Sequence, residues 1–140
     1  MPKIGHIYIN QIPFYEMENG STFNIVFVKI GDTLKVAIGP AGSNTHYTII
    51  EQLLQFEKIF SVPKQTGKNG KEIPRADFFD ANSKKHGKIL ACGHIKIIPG
   101  TKHIKFYGNS PEYGIGIKLL EVRDFMDNYY PDSGFSYEVE

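Results

Sequence analysis

The histidine at position 46 is the residue whose surroundings most directly suggest chemistry. It lies in the stretch GPAGSNTHYTIIEQLLQFEKIF, residues 39–60, where small turn-forming residues precede a run with the apolar spacing of a helix. Asn44 and Thr45 are residue types that begin helices, so His46 is predicted to lie in the first helical turn. A helix start carries backbone N–H groups without partners and a partial positive charge, and both favour an anion.

A histidine in that position is expected to be neutral, because the helix dipole disfavours the imidazolium ion. A neutral imidazole is the form that a nucleophile or a general base requires. Together with free N–H groups of Tyr47 and Thr48, His46 could hold a phosphoryl group and attack it. The alternative is an ordinary surface histidine near a helix start, which is the commoner case.

Two other kinds of site have weaker support in the sequence. His86, Cys92 and His94 are metal-ligating residue types, but three of them at irregular spacing, without a fourth, make a poor zinc motif. Aromatic strand residues beside a basic segment could bind single-stranded nucleic acid. The formal net charge is only +1, however, and there is no RNA-binding aromatic motif. We therefore expect no metal, no cofactor and no nucleic-acid partner.

The composition is that of a folded domain of modest size. The chain has 140 residues, of which 41% are hydrophobic, enough for one domain with one core. It has one cysteine, so no intramolecular disulfide can form and a reducing compartment is the simpler expectation. The opening MPKIGHIYIN lacks the apolar core of a signal peptide, and no apolar run approaches the roughly 20 residues of a membrane span. These features predict a cytoplasmic protein with no membrane partner.

Strands are predicted on both sides of the His46 helix. The runs rich in β-branched and aromatic residues lie at 7–9, 23–30, 34–38, 89–98, 102–108 and 135–139. Helical spacing is seen in two stripes, which are Ile49, Ile50, Leu53, Leu54, Phe56, Ile59 and Phe60, and then Leu119, Val122, Phe125, Met126 and Tyr129. Residues 109–116 are predicted to form a loop. Five or six short strands with two helices indicate an α+β sheet protein.

The segment 61–88 differs in composition from the rest of the chain. It holds seven Lys or Arg residues against three Asp or Glu residues, together with Pro and Gly. This composition predicts a long, basic, partly mobile loop, with Phe78 and Phe79 packed back onto the core. Such a segment is most often a solvated loop; the functional alternative is a docking surface for an acidic or phosphorylated partner.

Five stretches form a recognisable pattern in order along the chain. They are NQIPFYEMENGSTFNIVFVKI, KVAIGPAGSNTHY, CGHIKIIPGTKHIKFYGNSPEYG, YYPD and the closing YEV. The third is the most specific, with a Gly-x-Ile strand, a turn with Lys-x-Ile and a Tyr-Gly-x-Ser-x-x-Tyr-Gly loop. Together they resemble the phosphohistidine phosphatase (Janus/Ocnus) family. The resemblance implies a single domain over residues 1–140, with a mixed β-sheet of about six strands packed with two main helices, in which 61–88 is mostly an insertion.

The resemblance also implies an activity, which is metal-free hydrolysis of phosphohistidine, and sometimes of phospholysine, on proteins. His46 matches the family's catalytic histidine, and the backbone N–H of Tyr47 would help to hold the phosphate. Ser110 matches the serine of the Tyr-Gly-x-Ser loop, and Glu112 occupies the next phosphate-facing position. The expected protein is a monomer without a cofactor, acting on a phosphorylated protein or peptide. Whether His46 acts as a nucleophile or as a general base is left open.

Three positions depart from the family's pattern. Asn24 stands where a lysine is common, His94 where an arginine is common, and Glu112 where a small residue is usual. Two lost positive charges and one gained carboxylate weaken a phosphate site, each by ~1–3 kcal/mol. The alternative function is therefore a non-catalytic module that binds a phosphorylated ligand or a protein on the same fold.

Overall fold

Strands account for most of the fold in the computed structural model, which describes residues 6–60 and 62–140. Within these ranges the elements, in chain order, are β1 (Tyr8–Ile9), α1 (Phe14–Met17), β2 (Phe23–Ile30), β3 (Thr33–Pro40), α2 (His46–Phe56), β4 (Lys64–Thr66), β5 (Glu72–Pro74), β6 (Asp77–Asp80), β7 (Lys85–Ile97), β8 (His103–Tyr107), β9 (Asn109–Ser110), β10 (Ile115–Gly116), α3 (Leu119–Tyr129) and β11 (Ser136–Val139). Residues 1–5 and residue 61 lie outside the described residues. The first five bear on the expectation about a signal peptide, and residue 61 is the first of the basic segment.

Seven of these strands form one mixed sheet. Its order is β1-β3-β2-β7-β8-β11, and β6 pairs with the first part of β7. Strand β11 runs parallel to β8, whereas the other pairs are antiparallel. The strands β4 and β5 form a separate two-stranded hairpin, as do β9 and β10. The predicted α+β fold with a mixed sheet of about six strands and two main helices is confirmed.

Helices cover both faces of the sheet, which explains the four successive apolar residues at 25–28 in β2. Ile25 and Phe27 lie in the cluster that includes the buried side of α3, and Val26 and Val28 lie in the cluster that includes the buried side of α2. A strand covered on both faces needs apolar side chains at successive positions. Each fully buried side chain of this size contributes ~1.5–3 kcal/mol to folding, so the two clusters fix β2 at the centre of the molecule.

Both predicted helices are confirmed, but their apolar stripes are narrower than the sequence pattern. In α2 the four aliphatic residues of the stripe are buried: Ile49, Ile50, Leu53 and Leu54. Phe56 and Phe60 are mostly exposed, because α2 ends at Phe56 and the chain turns there. In α3, Leu119 and Tyr129 are also exposed, since only its central residues face the sheet.

The prediction of a long mobile loop at 61–88 is wrong. The described part of this segment contains the β4–β5 hairpin and β6, and β7 already begins at Lys85. Only a few of its side chains are buried, chiefly Ile73 and Phe78, so its composition resembles that of a loop. The ring of Phe78 lies over Gly87 of the paired strand, whereas Phe79 is half exposed. One of the two phenylalanines therefore anchors the segment.

Two smaller differences concern short elements. Residues 109–116, predicted as a loop, contain the β9–β10 hairpin. The single-turn helix α1 was not predicted, because it follows Pro13 and has only Met17 as a fully buried residue.

Among the described residues, no helix combines the length and the apolar character that crossing a membrane requires.

Candidate active site

His46 is the first residue of α2, as predicted, and its ring points into the fold. Thr45 caps the helix, since its Oγ1 accepts the backbone N–H of Thr48 at 3.3 Å. The Nε2 atom of His46 lies 2.7 Å from the carbonyl oxygen of Gly93 in β7. Only 3% of the surface of His46 is exposed. The cap thus fixes where the helix begins, and Gly93 fixes the orientation of the ring.

The hydrogen bond to Gly93 decides which ring nitrogen is able to react. A carbonyl oxygen only accepts, so Nε2 of His46 carries a proton and Nδ1 of the neutral ring keeps its lone pair. Nδ1 makes no hydrogen bond within residues 6–60 and 62–140, and no buried side-chain nitrogen or oxygen of those residues is without a partner. Nδ1 therefore reaches solvent, although the rest of the ring is enclosed.

Burial lowers the pKa of His46 below its ordinary value of 6.5. Desolvation of the ring is the largest cause. The hydrogen bond to Gly93 opposes it by favouring the charged ring, the neighbouring His94 lowers the pKa further, and the carboxylate of Glu112 raises it. The neutral imidazole expected from the sequence agrees with this direction, but the main physical cause is burial in the fold.

The two N–H groups that follow His46 have different surroundings. The N–H of Thr48 is engaged by the cap residue, so the expectation that it is free is wrong. The N–H of Tyr47 makes no hydrogen bond with any described residue, and it remains available to an anion. The side chain of Tyr47 points outward, with its hydroxyl oxygen 3.5 Å from the Nζ atom of Lys71.

Asn24 and His94 face each other across β2 and β7. The Nδ2 atom of Asn24 donates to the carbonyl oxygen of Asn44 at 2.6 Å, and its Oδ1 lies 2.7 Å from Nδ1 of His94. His94 therefore donates from Nδ1, and burial lowers its pKa. Its ring centroid is 5.6 Å from that of His46. The pair holds the loop before α2 against the sheet and supplies no positive charge at neutral pH.

Ser110 and Glu112 close the opposite side of the site. Both are buried, and Oγ of Ser110 donates to Oε1 of Glu112 at 3.2 Å. The same Oγ accepts the backbone N–H of Tyr113 at 3.3 Å. The charge of Glu112 acts on both His46 and the buried Cys92. The structure thus brings together His46, Asn24, His94, Ser110 and Glu112, the set of side chains that the sequence singled out.

The alternative metal ligands do not converge. His86 stacks on Phe79, near the start of β7, eight residues from His94 and roughly 26 Å along an extended strand. Burial raises the pKa of the Cys92 thiol to about 12, so this sulfur is an inert core atom. No group of three or more His, Cys, Asp or Glu side chains in the described parts of the chain is placed to hold a metal ion.

Two features of the site were missed in the sequence. One is the carbonyl group of Gly93, which orients His46. The residue has to be glycine, because a Cβ atom there would lie 2.5 Å from the carbonyl oxygen of Tyr107. The Gly-x-Ile motif marks this position but does not reveal its contact. The other is a pair of cations, Lys68 and Lys71, which the β4–β5 hairpin places beside the site.

The more open clefts of the surface lie away from His46. A cleft of about 710 Å³ runs between β1 and α2, where it is lined by Tyr8, Gln52 and Phe56 among others. His46 does not line this cleft.

No protein-family model matches the chain, and no curated protein sequence matches it either. The resemblance to phosphohistidine phosphatases rests on the order of short motifs. A functional assignment therefore has to come from the geometry around His46.

Proposed function

We propose that this protein is a metal-free protein phosphohistidine phosphatase in which His46 is the reacting group. The observation that carries the proposal is the state of its ring. Nε2 is bound to the carbonyl oxygen of Gly93, burial favours the neutral form, and the lone pair on Nδ1 reaches solvent at the start of α2. The motif resemblance supplies the substrate class and the expectation that no metal takes part.

The reaction has two possible routes through the same atom. In the first, Nδ1 of His46 attacks phosphorus, the P–N bond of the substrate breaks, and the departing imidazole nitrogen takes a proton from water. A second water then hydrolyses the phosphorylated His46 and releases phosphate. In the other, Nδ1 takes a proton from a water molecule that itself attacks phosphorus. Both routes need the neutral ring, so the orientation by Gly93 serves either.

The groups around His46 have distinct supporting roles in this proposal. The free N–H of Tyr47 holds an equatorial oxygen of the phosphoryl group, and the hydroxyl of Ser110 holds another once it exchanges Glu112 for the phosphate. Asn24 and His94 keep the loop before α2 in place. Glu112 disfavours a phosphate by charge and accepts the hydroxyl of Ser110. We place the activity in the cytoplasm, since a free buried thiol suits a reducing compartment, and we expect a monomer.

Release of phosphate from a phosphohistidine peptide, with and without EDTA, tests the proposal. The natural protein is expected to turn over equally in both conditions. His46→Ala is expected to lose at least a hundredfold in kcat, because the reacting group is absent. His86→Ala is the matched control, since it removes an exposed histidine on the same strand as Gly93 but far from the site.

Phosphate release by His46→Ala at the natural rate would contradict the proposal. Loss of activity in EDTA would contradict its metal-free form. Circular dichroism and thermal melting of each variant show whether the fold is retained, so that a misfolded His46→Ala protein is not taken for an inactive one.

A second function is favoured by one observation, the enclosure of His46 beside the carboxylate of Glu112. A site of this kind could bind a phosphorylated protein without hydrolysing it. In that case neither the natural protein nor His46→Ala releases phosphate, yet a stable phosphohistidine analogue binds the natural protein and binds His46→Ala more weakly.

A further inference from the structure

The β4–β5 hairpin is held firmly between the start of α2 and residues 109–116, which we call the serine loop. The backbone N–H of Lys68 donates to the carbonyl oxygen of Glu112 at 2.9 Å, and the hydroxyl of Tyr113 donates to the carbonyl oxygen of Pro74 at 2.7 Å. Ile73 is fully buried in the cluster that also contains α2. The hairpin is therefore a fixed wall of the site.

Two lysines of this hairpin have side chains next to residues that neighbour His46 and Glu112 in the sequence. The side chain of Lys68 lies across Gly114, where a Cβ atom would collide with its Cε and Cδ atoms. The Nζ atom of Lys71 lies 3.5 Å from the hydroxyl oxygen of Tyr47 and 5.7 Å from the centre of its ring. Lys71 thus lies beside the residue that follows His46, and Lys68 lies beside the turn that follows Glu112.

These two lysines have no acidic partner in the described parts of the chain. Lys64 of the same hairpin, by contrast, forms an ion pair with Glu51 at 3.1 Å. Lys68 and Lys71 are exposed and form no ion pair with any described residue. Two unpaired cations held on a fixed element are complementary to a negatively charged partner at the rim of the site.

We propose that Lys68 and Lys71 form a specificity element that binds acidic residues next to the phosphohistidine of a protein substrate. This rests on the proposed function for the identity of the phosphorylated residue. The lysines contact the flanking sequence, because Lys71 is placed at the outward end of the Tyr47 side chain and not beside the ring of His46. Acidic flanks are thus preferred over neutral or basic ones.

The test is binding of matched peptides, with hydrolysis of free phosphohistidine measured separately. One labelled peptide carries phosphoryl-triazolylalanine, a stable phosphohistidine analogue, between aspartates, and the other carries it between serines. We expect Lys68→Ala/Lys71→Ala to bind the aspartate peptide about tenfold more weakly at low salt and the serine peptide almost as well as the natural protein does. Free phosphohistidine should be hydrolysed at the natural rate.

The matched control is Lys85→Ala/Lys88→Ala. It removes two exposed lysines at the same spacing, which lie five to eight residues from Gly93, roughly 16–26 Å along β7. Binding by this control should equal that of the natural protein.

A labelled single-stranded DNA, with as many nucleotides as the peptides have residues, tests whether the hairpin binds nucleic acid instead.

Each outcome separates the two proposals. Selective loss of aspartate-peptide binding in the hairpin variant supports the specificity element, even if no protein releases phosphate and the phosphatase proposal fails. Equal binding of the aspartate peptide by the two double variants overturns the specificity element. Hydrolysis of free phosphohistidine by the same proteins leaves the phosphatase proposal intact. The specificity element is also overturned if the natural protein does not prefer the aspartate peptide. The same holds if the hairpin variant loses binding to DNA but not to the aspartate peptide.

Discussion

Glu112 has two opposing effects on the proposed chemistry. Its carboxylate raises the pKa of His46 and repels a phosphoryl group, while its Oε1 accepts the hydroxyl of Ser110. Glu112→Gln keeps an oxygen for Ser110 and removes the charge. We expect the pKa of His46 to fall further below 6.5 and inorganic phosphate to bind several-fold more tightly. NMR titration of the His46 ring and a phosphate-binding isotherm measure the two changes.

The control for this substitution is Glu18→Gln, which removes an exposed carboxylate on a loop outside the site. It should leave both quantities unchanged. A rise in the His46 pKa in Glu112→Gln would show that the carboxylate does not act on the ring by charge.

At the scale of elements, the hydroxyl of Tyr113 links the serine loop to the β4–β5 hairpin through the carbonyl oxygen of Pro74. Tyr113→Phe leaves that buried acceptor without its donor, which costs about 1–3 kcal/mol. We expect a lower free energy of unfolding in urea and faster amide hydrogen exchange within β4 and β5. Burial also raises the pKa of this hydroxyl well above its ordinary range, so the link should persist in moderately alkaline solution.

Tyr15→Phe is the corresponding control, because Tyr15 is exposed and its hydroxyl makes no hydrogen bond with a described residue. If Tyr113→Phe changes hydrogen exchange throughout the main sheet and not in the hairpin, the bond to Pro74 is not what holds the hairpin in place.

At the scale of the whole molecule, His46 couples protonation to folding. Burial lowers the pKa of His46 in the folded state, so the unfolded chain binds this proton more readily. The resulting stability is fully present above the unfolded value of 6.5 and is lost as pH falls from there toward the folded pKa. His94 acts in the same direction. Urea unfolding between about pH 7.5 and 5 should therefore show stability falling with acid.

His46→Gln removes one of these groups and should flatten that part of the pH profile. If the free energy of unfolding of the natural protein increases as pH is lowered from about 7 to 5, the assigned direction is wrong. The acid limb of kcat/KM should likewise lie below 6.5, since the proposed reaction needs the neutral ring of free enzyme.

The sequence predicts those parts of the molecule in which side-chain pattern and burial agree. The run at 23–30 is buried on both faces except at Lys29, and the stripe that begins at Ile49 faces the sheet, so periodicity locates β2 and α2 correctly. The β4–β5 hairpin has mostly polar side chains and buries chiefly Ile73 and Pro74, so its pattern cannot be told from that of a loop. Backbone pairing, which residue types do not reveal, decides its structure.

The candidate site divides in the same way. The order of the motifs predicts His46, Ser110 and Glu112 as site residues, and their side chains lie near one another in the structure. The carbonyl group that orients the ring belongs to Gly93, and a backbone atom leaves no signal of its own in residue types. The engagement of the Thr48 N–H by Thr45 is likewise a matter of local geometry.

The contact between His46 and Gly93 joins residues 47 positions apart, and that between Asn24 and His94 joins residues 70 positions apart. Contacts of such separation form late, because a long loop must close before they are made, and sheets that depend on them fold in milliseconds to seconds. The ring of His46 is thus oriented only when Gly93 of β7 has reached its place beside α2. If His46 is the reacting group, as proposed, activity is expected to appear together with the completed central sheet.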